Sequence, residues 1–196
     1  TVYLCGVSVV IASVIGIPLG VLAAVNKRAG KIIGAVIDTL QTLPSFVYLI
    51  PVVMLFRIGD FTAMIAIVLY ALAPAVRYAA HGIRSVSSDL IEAGIMSGCA
   101  PTQILTKIRL PLALPNILLG INQTIMLALS MLVITALVGT RDLGQEVYIA
   151  LTRADTGHGI IAGLSIAFIA IIADRIVSAS AKNARIRYGL ETTHDY

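Results

Sequence analysis

Hydrophobic positions along this chain fall into five long stretches separated by polar interludes. Residues 1–26, 39–56, 61–76, 110–140 and 156–173 contain no Asp, Glu, Lys or Arg. A helix that crosses a bilayer needs about 17–25 mostly apolar residues, so each run predicts one spanning helix. The shortest, 61–76, is expected to reach the interface by including Arg77 or its neighbours. Backbone groups in lipid must be paired within the protein, which favours helices, and the short alternating segments of a barrel are not seen. The pattern predicts an all-α, polytopic membrane protein with about five transmembrane helices.

The interlude at about 85–109 is longer than a turn requires and has a helix-forming, mixed-polarity composition. Asp89-Leu90-Ile91-Glu92 has the form of a capping box, with Asp89 as N-cap and Glu92 reaching back to its backbone N–H. Gly94 and Gly98 then fall one turn apart on the predicted helix, a spacing that allows another backbone to approach closely. A short helix with a glycine-lined face on the aqueous side of a membrane protein is a shape for docking a partner.

Composition agrees with the membrane class: 58% of residues are hydrophobic and 12% charged, against about a quarter charged in soluble domains. The net charge of +4 reports topology and requires no nucleic acid. Of 14 Lys and Arg, only Arg57, Arg141 and Arg153 lie after the second and fourth runs. The rest follow the first, third and fifth runs, which by the positive-inside rule places the N-terminus outside and the C-terminal tail, Gly189 included, in the cytoplasm. The 85–109 segment thereby falls on the cytoplasmic side. Cys5 and Cys99 fall on opposite sides and cannot pair. Asn122-Gln123-Thr124 matches a glycosylation sequon but lies within a span. Starting at Thr1 inside a hydrophobic run, without an initiator Met or leader, the chain reads as a truncated piece whose residues 1–196 form one transmembrane domain.

Enzymatic chemistry finds no purchase. Gly30-Lys31 is followed by Ile32, and Val25 stands where a phosphate loop needs its first glycine. His81, His158 and His194 are scattered, with no metal-ligand spacing beside them.

Two runs could line a pathway. Asn116, Gln123 and Ser130 recur every seven residues and form one polar stripe, with Asn122 at its edge. Such a stripe serves equally for hydrogen bonds between helices. In Gln41-Thr42-Leu43-Pro44-Ser45-Phe46-Val47-Tyr48-Leu49-Ile50-Pro51, the two prolines are expected to bend one helix, with Gln41 and Thr42 near its cytoplasmic end. That bend suits either a gate or packing. Gly16 and Gly20, flanking Pro18, read as helix-packing positions. Asp38 and Asp174 are the acidic residues near the spans, both toward cytoplasmic ends; for Asp174, solvation or pairing with the adjacent Arg175 is expected. Ion-driven carriers use acidic groups deep in the membrane, so the energy is expected to come from a partner.

Glu92-Ala93-Gly94, then Gly98, then Ile108-Arg109-Leu110-Pro111 resembles the EAA loop of permease subunits of ATP-binding cassette importers, departing only in Gly94, where the second Ala usually stands. The 40–51 run, residues 120–131 and Ala173-Asp174-Arg175 look like the glycine betaine, proline betaine and choline importer permeases. A departure is Gly139-Thr140-Arg141-Asp142-Leu143-Gly144, where relatives tend to have a glycine-rich turn.

The resemblance implies a type I importer permease fold in a bacterial plasma (inner) membrane, working by alternating access. It implies two cytoplasmic ATP-binding subunits that carry ATP and Mg, a second permease copy or related half, and an external solute-binding protein holding any aromatic cage. This chain itself would bind no cofactor. Asp89, Glu92, Ala93, Gly94, Gly98, Ile108, Leu110 and Pro111 would couple to the ATPase; Gln41, Thr42, Pro44, Asn116, Asn122, Gln123 and Ser130 would form the pathway or gate. An importer for an amino acid or sulfonate, or a membrane scaffold or receptor subunit that docks a cytoplasmic protein, are the other expectations.

Overall fold

The computed structural model describes residues 1–188, leaving Gly189 and His194 outside the described residues. Every regular element among them is helical: α1 (Val2–Val25), α2 (Lys27–Thr42), α3 (Ser45–Phe56), α4 (Asp60–Arg84), α5 (Ser88–Met96), α6 (Pro101–Val138), α7 (Leu143–Thr152) and α8 (Thr156–Arg187). Helices α1, α4, α6 and α8 are each long and apolar enough to cross a membrane, while α2 and α3 form a pair bent by 98°. The expected second span is therefore a broken one.

The break has a local cause. Proline disfavours the helical region for the residue before it, and Leu43 is extended at φ −73°, ψ 133°. Pro44, with no N–H to donate, then serves as N-cap of α3. The Tyr48 hydroxyl donates to the Leu40 carbonyl, satisfying an acceptor that the end of α2 leaves open. Pro51 lies inside α3 without ending it, so one proline breaks the span where two were expected to bend it. The third run was short only in its charge-free part. Helix α4 continues through Arg77 to Arg84, and the Arg77 guanidinium pairs with Asp38 on α2 at 2.5 Å.

Glycines set the helix spacing. A Cβ on Gly16 would stand 2.7 Å from Ala75 Cβ, and one on Gly20 2.5 Å from the Val76 carbonyl oxygen. A Cβ on Gly82 would stand 2.9 Å from Asn116 Cβ, and one on Gly120 2.6 Å from Tyr78 Cβ. These contacts make α1 parallel and α6 antiparallel to α4. Lipid supplies no hydrophobic drive between helices, so close packing of this kind holds the bundle. The expected packing role of Gly16 and Gly20 is what the structure shows. Leu4, Ile67, Leu129 and Leu132 fill the core nearer the α3 side.

Asn26, Lys27, Arg84, α5 and the start of α6 share one end of the bundle, termed here the basic end. There the Asn26 side chain caps α2 by accepting from the N–H groups of Arg28 and Ala29. Arg84 donates to the Ala23 carbonyl near the end of α1 at 2.5 Å. At the opposite end, the Gly59 N–H donates to Val138 O (3.1 Å) and the Leu143 N–H to Thr1 Oγ1 (2.7 Å).

Candidate functional site

Two features stand apart from the packed bundle: the short helix α5 and a set of polar side chains on its spans. Helix α5 starts two residues earlier than a cap at Asp89 would place it. Ser87 is the N-cap residue, with no side-chain capping bond, and Asp89 lies in the first turn. The expected capping box is not formed. Asp89 favours the helix instead through its charge at the positive end of the helix dipole.

The far end of α5 corrects a second expectation. The helix stops at Met96, and Gly98 adopts φ +76°. The Gly98 N–H donates to Ile95 O (2.9 Å) and the Cys99 N–H to Gly94 O (3.1 Å). These two bonds form a Schellman stop, in which glycine supplies the left-handed residue. No atom lies within 4 Å of a Cβ built on Gly98. Gly98 thus shapes a turn and does not share a helix face with Gly94.

Gly94 itself is buried, and its Cβ would stand 2.6 Å from Ile108 Cδ1. The glycine face of α5 is turned onto the chain's own α6, and no glycine lines an outward docking face. Asp89, Glu92, Ala93 and Met96 point away from it, all exposed, with Met96 90% so. Exposed Leu90 and Ile95 flank them. The apolar members of this outward surface escaped the sequence reading, although large apolar residues on an aqueous-side helix are themselves the signal.

Ile108, Leu110 and Pro111 lie in continuous helix. At 104–109 the helix widens, so that the Leu110 N–H donates to the carbonyl of Leu105, five residues back. Such a wide turn makes room in the backbone ladder just before Pro111, which has no N–H to give. Ile108 supports α5, while Leu110 and Pro111 open the span.

The polar stripe divides. Gln123 and Ser130 are exposed on the single chain, with the Ser130 hydroxyl donating to Met126 O at 2.9 Å. Asn116 is half-buried near Ser85 Oγ (3.4 Å). Asn122 is only 5% exposed, and its Nδ2 donates to Asp174 Oδ1 on α8 at 2.6 Å. It belongs to helix packing and not to the stripe's open edge. Asp174 also accepts from the Ser178 hydroxyl (3.4 Å), so its hydrogen-bonding partners are Asn122 and Ser178 where Arg175 was expected.

Gln41 and Thr42 are exposed at the break, at the end of α2 remote from Lys27. That is about 22 Å along the helix at 1.5 Å per residue, which puts them deep in the span and not at its basic end as expected. Discontinuous helices at membrane depth are tolerated where they face protein or a water-filled cavity. No hydrogen bond joins Gln41 or Thr42 to Gln123 or Ser130 among the described residues.

Helix α7 and its caps were not foreseen. Asp142 accepts from the Gln145 N–H (3.1 Å), and Asp155 from the His158 N–H (3.1 Å) at the start of α8. Asp142 followed three residues later by Gln145 is the signal that would have found α7. The departure at 139–144 thus builds a left-handed turn at Gly139 and the start of a helix.

Helix α4 at the centre, packed by α1 and α6, with α8 and one broken span beside them and a short helix seated at the basic end against the start of α6, is the architecture of the type I importer permease fold. The chain belongs to the family of binding-protein-dependent transport system inner membrane components, whose sequence profile matches residues 16–186. It is 45% identical over 174 residues to the glycine betaine/proline betaine transport system permease protein ProW of Escherichia coli, covering 89% of this chain and 49% of that protein. It is 46% identical over 169 residues to the glycine betaine transport system permease protein OpuAB of Bacillus subtilis, covering 86% of this chain and 60% of that one. The chain therefore spans about half to three-fifths of these relatives. In fold it is similar to a chain of the MetNI methionine ABC transporter in its inward-facing conformations, with TM-score 0.82, 19% identity, and 93% and 94% of the two chains covered.

Proposed function

We propose that this chain is the solute-conducting subunit of an ATP-driven importer for a compatible solute of the betaine or choline type. Two cytoplasmic ATP-binding subunits, carrying ATP and Mg, would drive it, with a second permease copy or related half and an external solute-binding protein completing the assembly. The basic end faces the cytoplasm in this reading, supported by the distribution of the chain's 14 Lys and Arg, all but Arg57, Arg141 and Arg153 of which follow the first, third and fifth runs.

The observation that carries the reading is the seating of α5. Its glycine face is anchored on Ile108, which leaves Asp89, Glu92, Ala93 and Met96 as a rigid outward surface joined through α6 to the span that carries Gln123 and Ser130. Movement of an ATPase docked on that surface would pass along α6 by rigid-body motion. Alternating access then follows from tilting α6 and the α2–α3 break against a facing copy. Gln123, Ser130, Gln41 and Thr42, exposed on one chain, would face the pathway between copies. The quaternary ammonium preference is supported by the relatives, which are permeases of glycine betaine and proline betaine transport systems.

The test is competition. In cells lacking their own compatible-solute importers, the full-length protein with its partner chains should take up labelled glycine betaine. Choline or proline betaine should compete, while methionine and taurine should not. Competition by an amino acid or a sulfonate alone would assign the other solute class.

A further inference from the structure

A cavity of about 550 Å³ opens at the basic end, where α1, α2 and α4 meet the α5–α6 segment. Four cationic side chains line it, Lys27, Lys31, Arg84 and Arg109, together with Ile83 and Ile91 and no carboxylate. None of the four forms an ion pair within the described residues. Arg84 is fixed in place by its bond to Ala23 O, and Gly30 leaves the room for it: a Cβ there would stand 2.9 Å from the guanidinium. The Nε of Arg109 is buried and has no hydrogen-bond partner. A buried charged donor without a partner is costly, and four like charges around one cavity repel.

We propose that this cavity binds the phosphate of an anionic phospholipid headgroup. A phosphodiester offers the negative charge and the several acceptor oxygens that two lysines and two arginine forks can share. The volume exceeds what a lone carboxylate fills and suits a glycerophosphate group. Lipid, in preference to a soluble anion, follows from position. The cavity is lined by Ala24, in the last turn of the apolar helix α1, and basic pockets between transmembrane helices at a membrane surface hold such headgroups. From the same end of α2, Ile32 and Val36 are exposed one turn apart, an apolar rail for acyl chains. The inference needs only the membrane setting of the chain and is independent of the solute transported.

The experiment uses the full-length permease with the chains that accompany it, purified in mild detergent. Its thermal midpoint is followed on adding phosphatidylglycerol, phosphatidylcholine or inorganic phosphate. Phosphatidylglycerol should raise the wild-type midpoint by about 2–4 °C, the size of shift that modest ligand stabilisation gives a chain of this length. Phosphatidylcholine and inorganic phosphate should not. Lys31→Gln/Arg109→Gln should lose most of that shift, and Arg109→Lys should keep more of it than Arg109→Gln. Should the double variant prove unstable in phosphatidylcholine, native mass spectrometry of Lys27→Gln/Lys31→Gln should show fewer retained phosphatidylglycerol molecules than wild type. An equal phosphatidylglycerol response in wild type and variants would overturn the proposal. Inorganic phosphate reproducing the shift would overturn the lipid assignment, as would variants that lose an accompanying subunit while keeping the lipid response.

Discussion

Gly94 on α5 lies directly against Ile108 at the start of α6, close enough that a Cβ would stand 2.6 Å from the Ile108 Cδ1 atom. The contact fixes how the short helix sits on the span behind it. The atom in the way is the tip of a flexible side chain, so a methyl group can be accommodated and a larger group cannot.

Gly94→Ala should therefore transport near the wild-type rate, with a stability change within about 1 kcal/mol, as for most tolerated substitutions. Gly94→Leu should lift α5 off α6 and lower solute uptake at least several-fold while the protein still inserts. Uptake and co-purification of accompanying chains, measured on both variants, check this. Normal uptake in Gly94→Leu would mean the seating does not matter.

Gly98 is expected to act through its backbone. With φ at +76° and open space where a side chain would go, Gly98→Ala should weaken the end of α5 by strain alone. The loss should be about 1–2 kcal/mol, the usual left-handed penalty for a non-glycine residue. Gly98→Asn should lose less, because Asn tolerates this conformation. Hydrogen exchange of the α5 amides reads this directly: faster exchange in Gly98→Ala than in Gly98→Asn, and no change away from α5. Equal rates in all three proteins would refute the turn assignment.

Asn122 and Gln123 are neighbours in sequence with separate tasks. Asn122→Leu removes the bond to Asp174 and should destabilise the α6–α8 contact by about 0.6–1.7 kcal/mol, the range for such bonds in membranes. Gln123 is exposed on the single chain, so Gln123→Leu should leave the monomer's stability within about 0.5 kcal/mol. It should nonetheless reduce transport or shift solute preference. Thermal stability in detergent and uptake per assembled complex separate the two. A Gln123→Leu protein that assembles poorly yet transports normally per complex would make Gln123 a packing residue.

Orientation is open to labelling. In a Cys99→Ser background, Met96→Cys on α5 should be shielded from an impermeant maleimide in intact cells, while Leu151→Cys on α7 should react. Both positions are well exposed, at 90% and 77%, so access is set by the membrane and not by burial. Labelling of Met96→Cys from outside would reverse the orientation and remove α5 from any cytoplasmic partner.

The spans were legible because absence of charge is a long-range, additive signal. Residues 110–140 could hardly be anything but a crossing helix. Where a single proline decides between a bend and a break, composition is silent: Pro44 ends a helix and Pro51 does not. The 85–109 segment was legible as a segment but not in its detail. The Asp89–Glu92 spacing fits a capping box, yet Ser87 takes the cap, and Gly98 reads as a helix position until its φ is known. Heptad spacing grouped Asn116, Gln123 and Ser130, and only packing against α8 could show that Asn122 faces the other way. The basic cavity was invisible because its four cations come from three separate regions of the chain.

The central claim is that this membrane chain couples ATP hydrolysis on partner subunits to passage of a compatible solute. The most direct measurement follows labelled glycine betaine uptake and ATP hydrolysis together in proteoliposomes holding the full-length permease, its ATP-binding subunits and its solute-binding protein. Uptake should require ATP, should depend on the loaded binding protein, and should rise and fall with hydrolysis. A complex that assembles and hydrolyses ATP while moving no betaine, or a chain that assembles with no ATP-binding subunit, would contradict the account.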